Sequence, residues 1–131
     1  MSDIIICREL EELIVEQLLK ETQTSYYEYV MKLENGCLQI ATDLRIGKNE
    51  QAFQNIINLT EGLGWLLDVE ARMQEQRFKV NSQINNALDV LNDVNESLEA
   101  GDIVTVADLF EYELAPMFAS ATEWTFTEIK N

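Results

Sequence analysis

The stretch YYEYVMKLENGCLQIATDL, residues 26–44, decides the fold. Its apolar positions Tyr26, Val30, Leu33, Cys37, Ile40 and Leu44 step by 4, 3, 4, 3 and 4 residues. That is the period of one helix face rather than the alternation of a strand, so the stretch predicts an amphipathic helix, which Gly47 stops. A second stripe follows the glycine, Ala52, Ile56, Leu59, Leu63 and Leu66, with Asn49 placed to cap it. A third runs Val80, Ile84, Ala87, Leu91, Val94 and Leu98, with Asn81 or Ser82 near its start and Gly101 just past its end. Asp102 then stands where the N-cap of a last helix belongs, ahead of Ile103, Val106, Phe110, Leu114, Met117, Ala121 and Trp124.

Upstream, Leu10, Leu13, Ile14 and Leu18 also read as helical, and the polar patch from Glu21 to Ser25 is either the wet face of one long helix or, the reading favoured here, a break or bend. Strand signals are nearly absent, because the β-branched run after Asp102 stays in helical phase. Short turns between helices imply antiparallel neighbours. The expected fold is therefore all-α, an up-and-down antiparallel bundle of four or five helices forming a single domain over residues 1–131.

Nine basic residues face twenty-four acidic ones, a formal charge of −15. That sign repels phosphate backbones and anionic lipid surfaces, which argues against nucleic acid and membrane partners. No apolar run approaches the roughly 20 residues of a membrane span, and Ile4-Ile5-Ile6 is too short and too acidic in its flanks for a signal peptide. The reading is cytoplasmic, with Cys7 and Cys37 as unpaired, buried thiols. The chain has no histidine. Ser-His-Asp and Cys-His nucleophile pairs, His-containing zinc sites and Glu-x-x-His di-iron sites are thereby excluded.

Two constellations stand out among the carboxylates. In Asp108-Leu-Phe-Glu-Tyr-Glu-Leu-Ala-Pro116, Asp108 and Glu111 share a helix side, whereas Glu113 falls on or beside the apolar stripe and would need a partner there. Pro116 lacks the N–H that would bond the carbonyl of Tyr112, which predicts a kink. In Glu61-Gly-Leu-Gly-Trp65, two glycines inside a helix each cost about 1 kcal/mol against alanine. Close approach of a neighbouring helix or of a large ring, most simply Trp65 or Trp124, or a ligand slot floored by backbone would offset that cost. The tyrosines at 26, 27 and 29 span more than one helix face, so at least one ring is expected to point outward.

These features support two functional readings. In the first, the protein is a non-enzymatic interaction module, with an apolar groove at Glu61, Gly62, Gly64, Trp65, Glu111, Tyr112 and Glu113 that takes a partner helix, its acidic rim favouring basic flanks. A flat apolar face could equally bury itself in a homodimer. No cofactor is implied. In the second, Glu61, Asp108 and Glu113 hold a divalent cation, as in a metal-dependent phosphohydrolase. Against it, the stretch from Val80 to Ile129 holds ten acidic residues and no lysine or arginine to bind a substrate's phosphates.

The pair of signatures Glu-Gly-x-x-Trp (Glu61 to Trp65) and Asp-Leu-x-Glu-Tyr-Glu-Leu-x-Pro (Asp108 to Pro116) resembles a family of small, acidic, uncharacterised proteins, chiefly from Gram-positive bacteria. The likeness covers residues from about Met31 to Trp124 and implies no activity. Residues 31–41, MKLENGCLQIA, bear a looser resemblance to flagellin export chaperones, small helical bundles that hold a partner's disordered helical end. That likeness implies a secretion or flagellar substrate as partner, although Glu34 stands where those chaperones carry an aromatic ring.

Overall fold

A computed structural model describes residues 2–130, with side chains from Cys7 to Lys130; residues 1 and 131 of the expected domain lie outside the described residues. The fold is an all-α helical bundle. Helix α1 spans Ser2–Val30, α2 Leu33–Arg45, α3 Asn49–Glu75 and α4 Ile84–Glu99. A last helical rod follows: α5 (Ile103–Asp108), a π-helical segment (Leu109–Leu114), α6 (Ala115–Ala119) and a 3₁₀ turn (Ser120–Glu123). Helix α2 is the centre of the bundle, packed against α3 on one side and against the rod on the other, while α4 rests on α5 and α1 on α3. The stripe residues Val30, Cys37, Ile40, Leu63, Leu66, Ile84, Val94, Phe110 and Leu114 join one continuous core.

The expected break at residues 21–25 is absent. The hydroxyls of Thr22 and Thr24 donate to the carbonyls of Leu18 (2.8 Å) and Lys20 (2.9 Å), so the polar patch is satisfied inside an unbroken α1. The interruption comes instead at Met31–Lys32, where the Lys32 N–H donates three residues back, to the Tyr29 carbonyl at 3.0 Å. This tightened turn separates α1 from α2 but holds the quoted stripe in line, with Tyr26, Val30, Leu33, Cys37, Ile40 and Leu44 all buried.

The helices stopped by Gly47 and Gly101 close in the same way. Gly47 (φ 82°) and Gly101 (φ 71°) adopt the left-handed conformation open to glycine. The next amides reach back to the Asp43 carbonyl (from Lys48, 2.8 Å) and the Ser97 carbonyl (from Asp102, 2.9 Å). Asp102 caps α5 as expected, accepting from the Thr105 N–H (3.1 Å) and hydroxyl (2.6 Å). Asn49 falls inside α3, which Lys48 precedes without a side-chain bond, whereas at the start of α4 the Ser82 hydroxyl accepts from the Ile84 N–H at 3.4 Å.

Val80, assigned by period to the third helix, belongs to a strand. β1 (Phe78–Asn81) pairs antiparallel with β2 (Thr125–Glu128), setting Phe78 opposite Glu128 and Val80 opposite Phe126. Residues 78–81 are too few for a period to choose between helix and strand, and their partner lies far along the chain. The tyrosines differ from expectation too. Tyr26 is buried and Tyr27 and Tyr29 are half-buried, Tyr26 lying edge-on to Phe126 with centroids 4.9 Å apart. Of the two thiols, Cys37 is buried as expected but Cys7 is exposed.

Candidate functional site

Pro116 acts through the π turn that precedes it. The Ala115 N–H bonds the Phe110 carbonyl, five residues back, and this wider turn seats Pro116 at the start of α6. The added residue per turn shifts the phase of the helix: Phe110 and Leu114 stay buried while Glu113 swings to an exposed position, contrary to its expected place on the apolar stripe. Asp108 and Glu111 share a side as expected, and Arg45 of α2 meets both, at 2.8 Å and 3.5 Å. That basic residue is distant in sequence and went unanticipated. Tyr112 is exposed, and the adjacent Glu111 carboxylate raises its hydroxyl above the ordinary value.

On α3 the two glycines have different meanings. At Gly62 a side chain would collide with the ring and hydroxyl of Tyr29, which reaches across from α1 and lies edge-on to Trp65 at 5.9 Å. The large ring that offsets this glycine is thus Tyr29, not Trp65 or Trp124, and the groove expected there is filled. At Gly64 nothing lies within 4 Å, and Glu61 and Gly64 are exposed, as is Trp65 at 40%. Among the described residues no three of Asp, Glu and Cys are grouped to hold a metal ion, so Glu61, Asp108 and Glu113 do not form the alternative cation site. The cause is topological: the π segment carrying Glu113 packs on α2 and α4, whereas Glu61 sits on an exposed position of α3.

A larger concave site lies elsewhere. Between the Arg8 to Gln23 stretch of α1 and the end of α3 with its sheet is a cleft of about 740 Å³. Its apolar floor is Val15 and Leu19 from α1 and Phe78 from β1; Glu11, Glu12 and Glu16 on one wall and Glu128 on the other give an acidic rim, with Arg8 and Lys20 interspersed. The pairing of β1 with β2 sets Phe78 directly opposite Glu128, so the two side chains share one face of the sheet.

The base of the cleft is pinned by polar contacts between α1 and α3. Gln23 donates to the Met73 sulfur at 3.4 Å. One turn on, the Tyr26 hydroxyl donates to Glu70 at 2.6 Å, and Ser82 donates to the same carboxylate oxygen at 2.8 Å. Burial, then the hydrogen bond and charge of Glu70, hold Tyr26 far above the ordinary tyrosine range. The Tyr27 hydroxyl donates to the Trp124 carbonyl at 3.0 Å, tying α1 to the residue before β2. From Gln23 towards its C-terminus α1 is locked to the body; towards its N-terminus Leu19 still packs against the core, and the side chains from Cys7 to Leu18 are exposed and form a wall.

Sequence reasoning missed this site because its walls come from three distant segments. The signal that was available is a charge and period mismatch in the first helix: its acidic residues lie on both sides of Val15 and Leu19, which suits a half-covered face.

A family model described as a domain of unknown function, DUF8042, matches residues 21–123. The chain belongs to that family. The DUF8042 match takes in the pinning residues Gln23, Tyr26, Glu70 and Met73 and the cleft residue Phe78, while the α1 wall from Arg8 to Lys20 and Glu128 of β2 lie outside the matched residues. Comparison with curated proteins and with solved structures finds no match. No helix among the described residues is long and apolar enough to cross a membrane.

Proposed function

We infer that this DUF8042 protein is a non-enzymatic binding module that seats an amphipathic helix carrying lysine or arginine in the cleft beside α1. The observation that carries the reading is the combination of an apolar floor, Val15, Leu19 and Phe78, with the carboxylates of Glu11, Glu12, Glu16 and Glu128 around it. An apolar helix face seated on such a floor leaves its flanking side chains at the rim, where cations pair with carboxylates and anions are repelled. The charge of −15 would steer such a ligand inward. The reading keeps the helix-in-groove mode expected from the sequence and moves the groove from Gly62 and Gly64 to α1. A secretion or flagellar substrate held before export, the partner class implied by the flagellin-chaperone likeness, has the required chemistry when its helical end is basic, and the setting would then be cytoplasmic. The Gram-positive origin implied by the two signatures fits such a role.

The test is titration of a fluorescent Leu/Lys amphipathic peptide and of its Leu/Glu counterpart into the full chain. The expected result is saturable binding of the basic peptide alone, weakened at least about tenfold by Glu12→Lys with Glu16→Lys. The control Asp89→Lys with Asp93→Lys makes the same change of charge on α4 and should leave binding nearly intact. Equal losses in the two double variants would show a mere charge effect and sink the cleft.

A further inference from the structure

The side of α1 turned away from the cleft carries an apolar stripe that nothing in the described chain covers. Leu10, Leu13, Ile14 and Leu18 are 53, 61, 58 and 55% exposed. The positions Cys7, Leu10, Ile14, Leu18 and Glu21 step by 3, 4, 4 and 3, so the stripe reads the same in either direction about Ile14. We propose that this stripe binds a second copy of the chain, forming a two-fold dimer in which the two α1 helices run antiparallel. A two-fold axis requires a self-complementary patch, and this spacing supplies one: Ile14 meets Ile14, Leu10 meets Leu18, and Cys7 meets Glu21.

Area favours this occupant, and charge favours this direction. From Cys7 to Lys20 the helix carries Arg8 and Lys20 against Glu9, Glu11, Glu12 and Glu16, a charge of −2 that leaves −13 to the rest of the chain. An antiparallel pair places the two acidic bodies at opposite ends of a segment roughly 20 Å long, well beyond a screening length of about 8 Å at physiological salt; a parallel pair sets them side by side. The exposed aliphatics offer on the order of 350 Å² per copy, within the roughly 300–600 Å² of the largest apolar patch on a soluble protein, which is often functional. With its polar flanks counted, a pair of such faces comes near the roughly 1,000 Å² expected of a specific interface. The cleft opens on the other side of α1, so both surfaces work at once and neither proposal rests on the other.

Sedimentation equilibrium of the full chain from about 1 to about 100 μM in roughly 0.15 M salt should show a dimer. Ile14→Glu should weaken it roughly a hundredfold by placing two carboxylates on the axis, and Leu10→Gln with Leu18→Gln should weaken it without adding charge. Circular dichroism should find every variant as helical and as heat-stable at the same low concentration, since these side chains are outside the core. Direction is read with a short bismaleimide: Glu21→Cys should link to Cys7 of the other copy, whereas wild-type chains, with their Cys7 thiols about 20 Å apart, should not link. A wild-type monomer throughout, a dimer untouched by both variants, or ready Cys7–Cys7 linkage would each overturn the proposal.

Discussion

Alanine at Gly62 and at Gly64 should change stability in opposite directions, although the two positions sit in one helix two residues apart. Helix propensity alone makes both substitutions stabilising, by about 0.4–1 kcal/mol. At Gly64 nothing lies within 4 Å of the new methyl, so that gain should appear in full. At Gly62 the methyl occupies the place of the Tyr29 ring, which must rotate away from α3 and from Trp65. Losing the edge-to-face pair costs about 0.5–1.5 kcal/mol, and the forced shift of a half-buried ring brings the total to roughly 2 kcal/mol. Net of the propensity gain, Gly62→Ala should destabilise by about 1 kcal/mol, some 1.5–2 kcal/mol below Gly64→Ala. Urea unfolding at constant slope reads the difference directly, and the melting temperatures should separate by roughly 6 °C in a chain of this size. A Tyr29→Ala background should turn Gly62→Ala stabilising. If Gly62→Ala matches Gly64→Ala in the wild-type background, Tyr29 does not occupy that space and the account of the Glu-Gly-x-x-Trp signature is wrong.

Two further predictions concern buried titratable groups. Tyr26 should stay protonated past the ordinary tyrosine value of about 10, because burial and Glu70 raise it in the folded state only. Its contribution to stability is accordingly full below that pH and falls as pH rises above it. Absorbance titration near 295 nm should show the Tyr26 proton released only with alkaline unfolding; a step near the ordinary value attributable to Tyr26, by comparison with Tyr26→Phe, would contradict the Glu70 contact. Among the thiols, Cys7 should react with a maleimide at once in dilute native protein. Cys37, which burial pushes up to about 12, should react only at the rate of global unfolding, so two fast labels per chain would refute the central position of α2.

The fold was largely legible where neighbours in space are neighbours in sequence. The stripes of α2, α3, α4 and the last rod, the stops at Gly47 and Gly101 and the cap at Asp102 all follow from interactions within one or two turns. The candidate site was not. Periodicity singles out Gly62 for a close approach but cannot name the approaching ring, because Tyr29 is thirty-three residues away and its reach depends on how α1 crosses α3. Glu113 departs from its expected place because an ideal α period does not survive the approach to Pro116, where the π turn changes the phase.

The sequence by itself determined that this chain is helical, acidic and without histidine chemistry, since periodicity, charge and residue type are local properties. Only the tertiary structure decided that Arg45 meets Asp108 and Glu111, that the short strands pair, and that α1 is pinned from Gln23 towards its C-terminus while its side chains from Cys7 to Leu18 are exposed. Those contacts join segments separated by tens of residues, and their pairing is chosen by the packing of the whole core. The same division explains the two faces of α1. Their apolar composition is written in the sequence, but which face borders a cleft and which meets solvent depends on where the body lies.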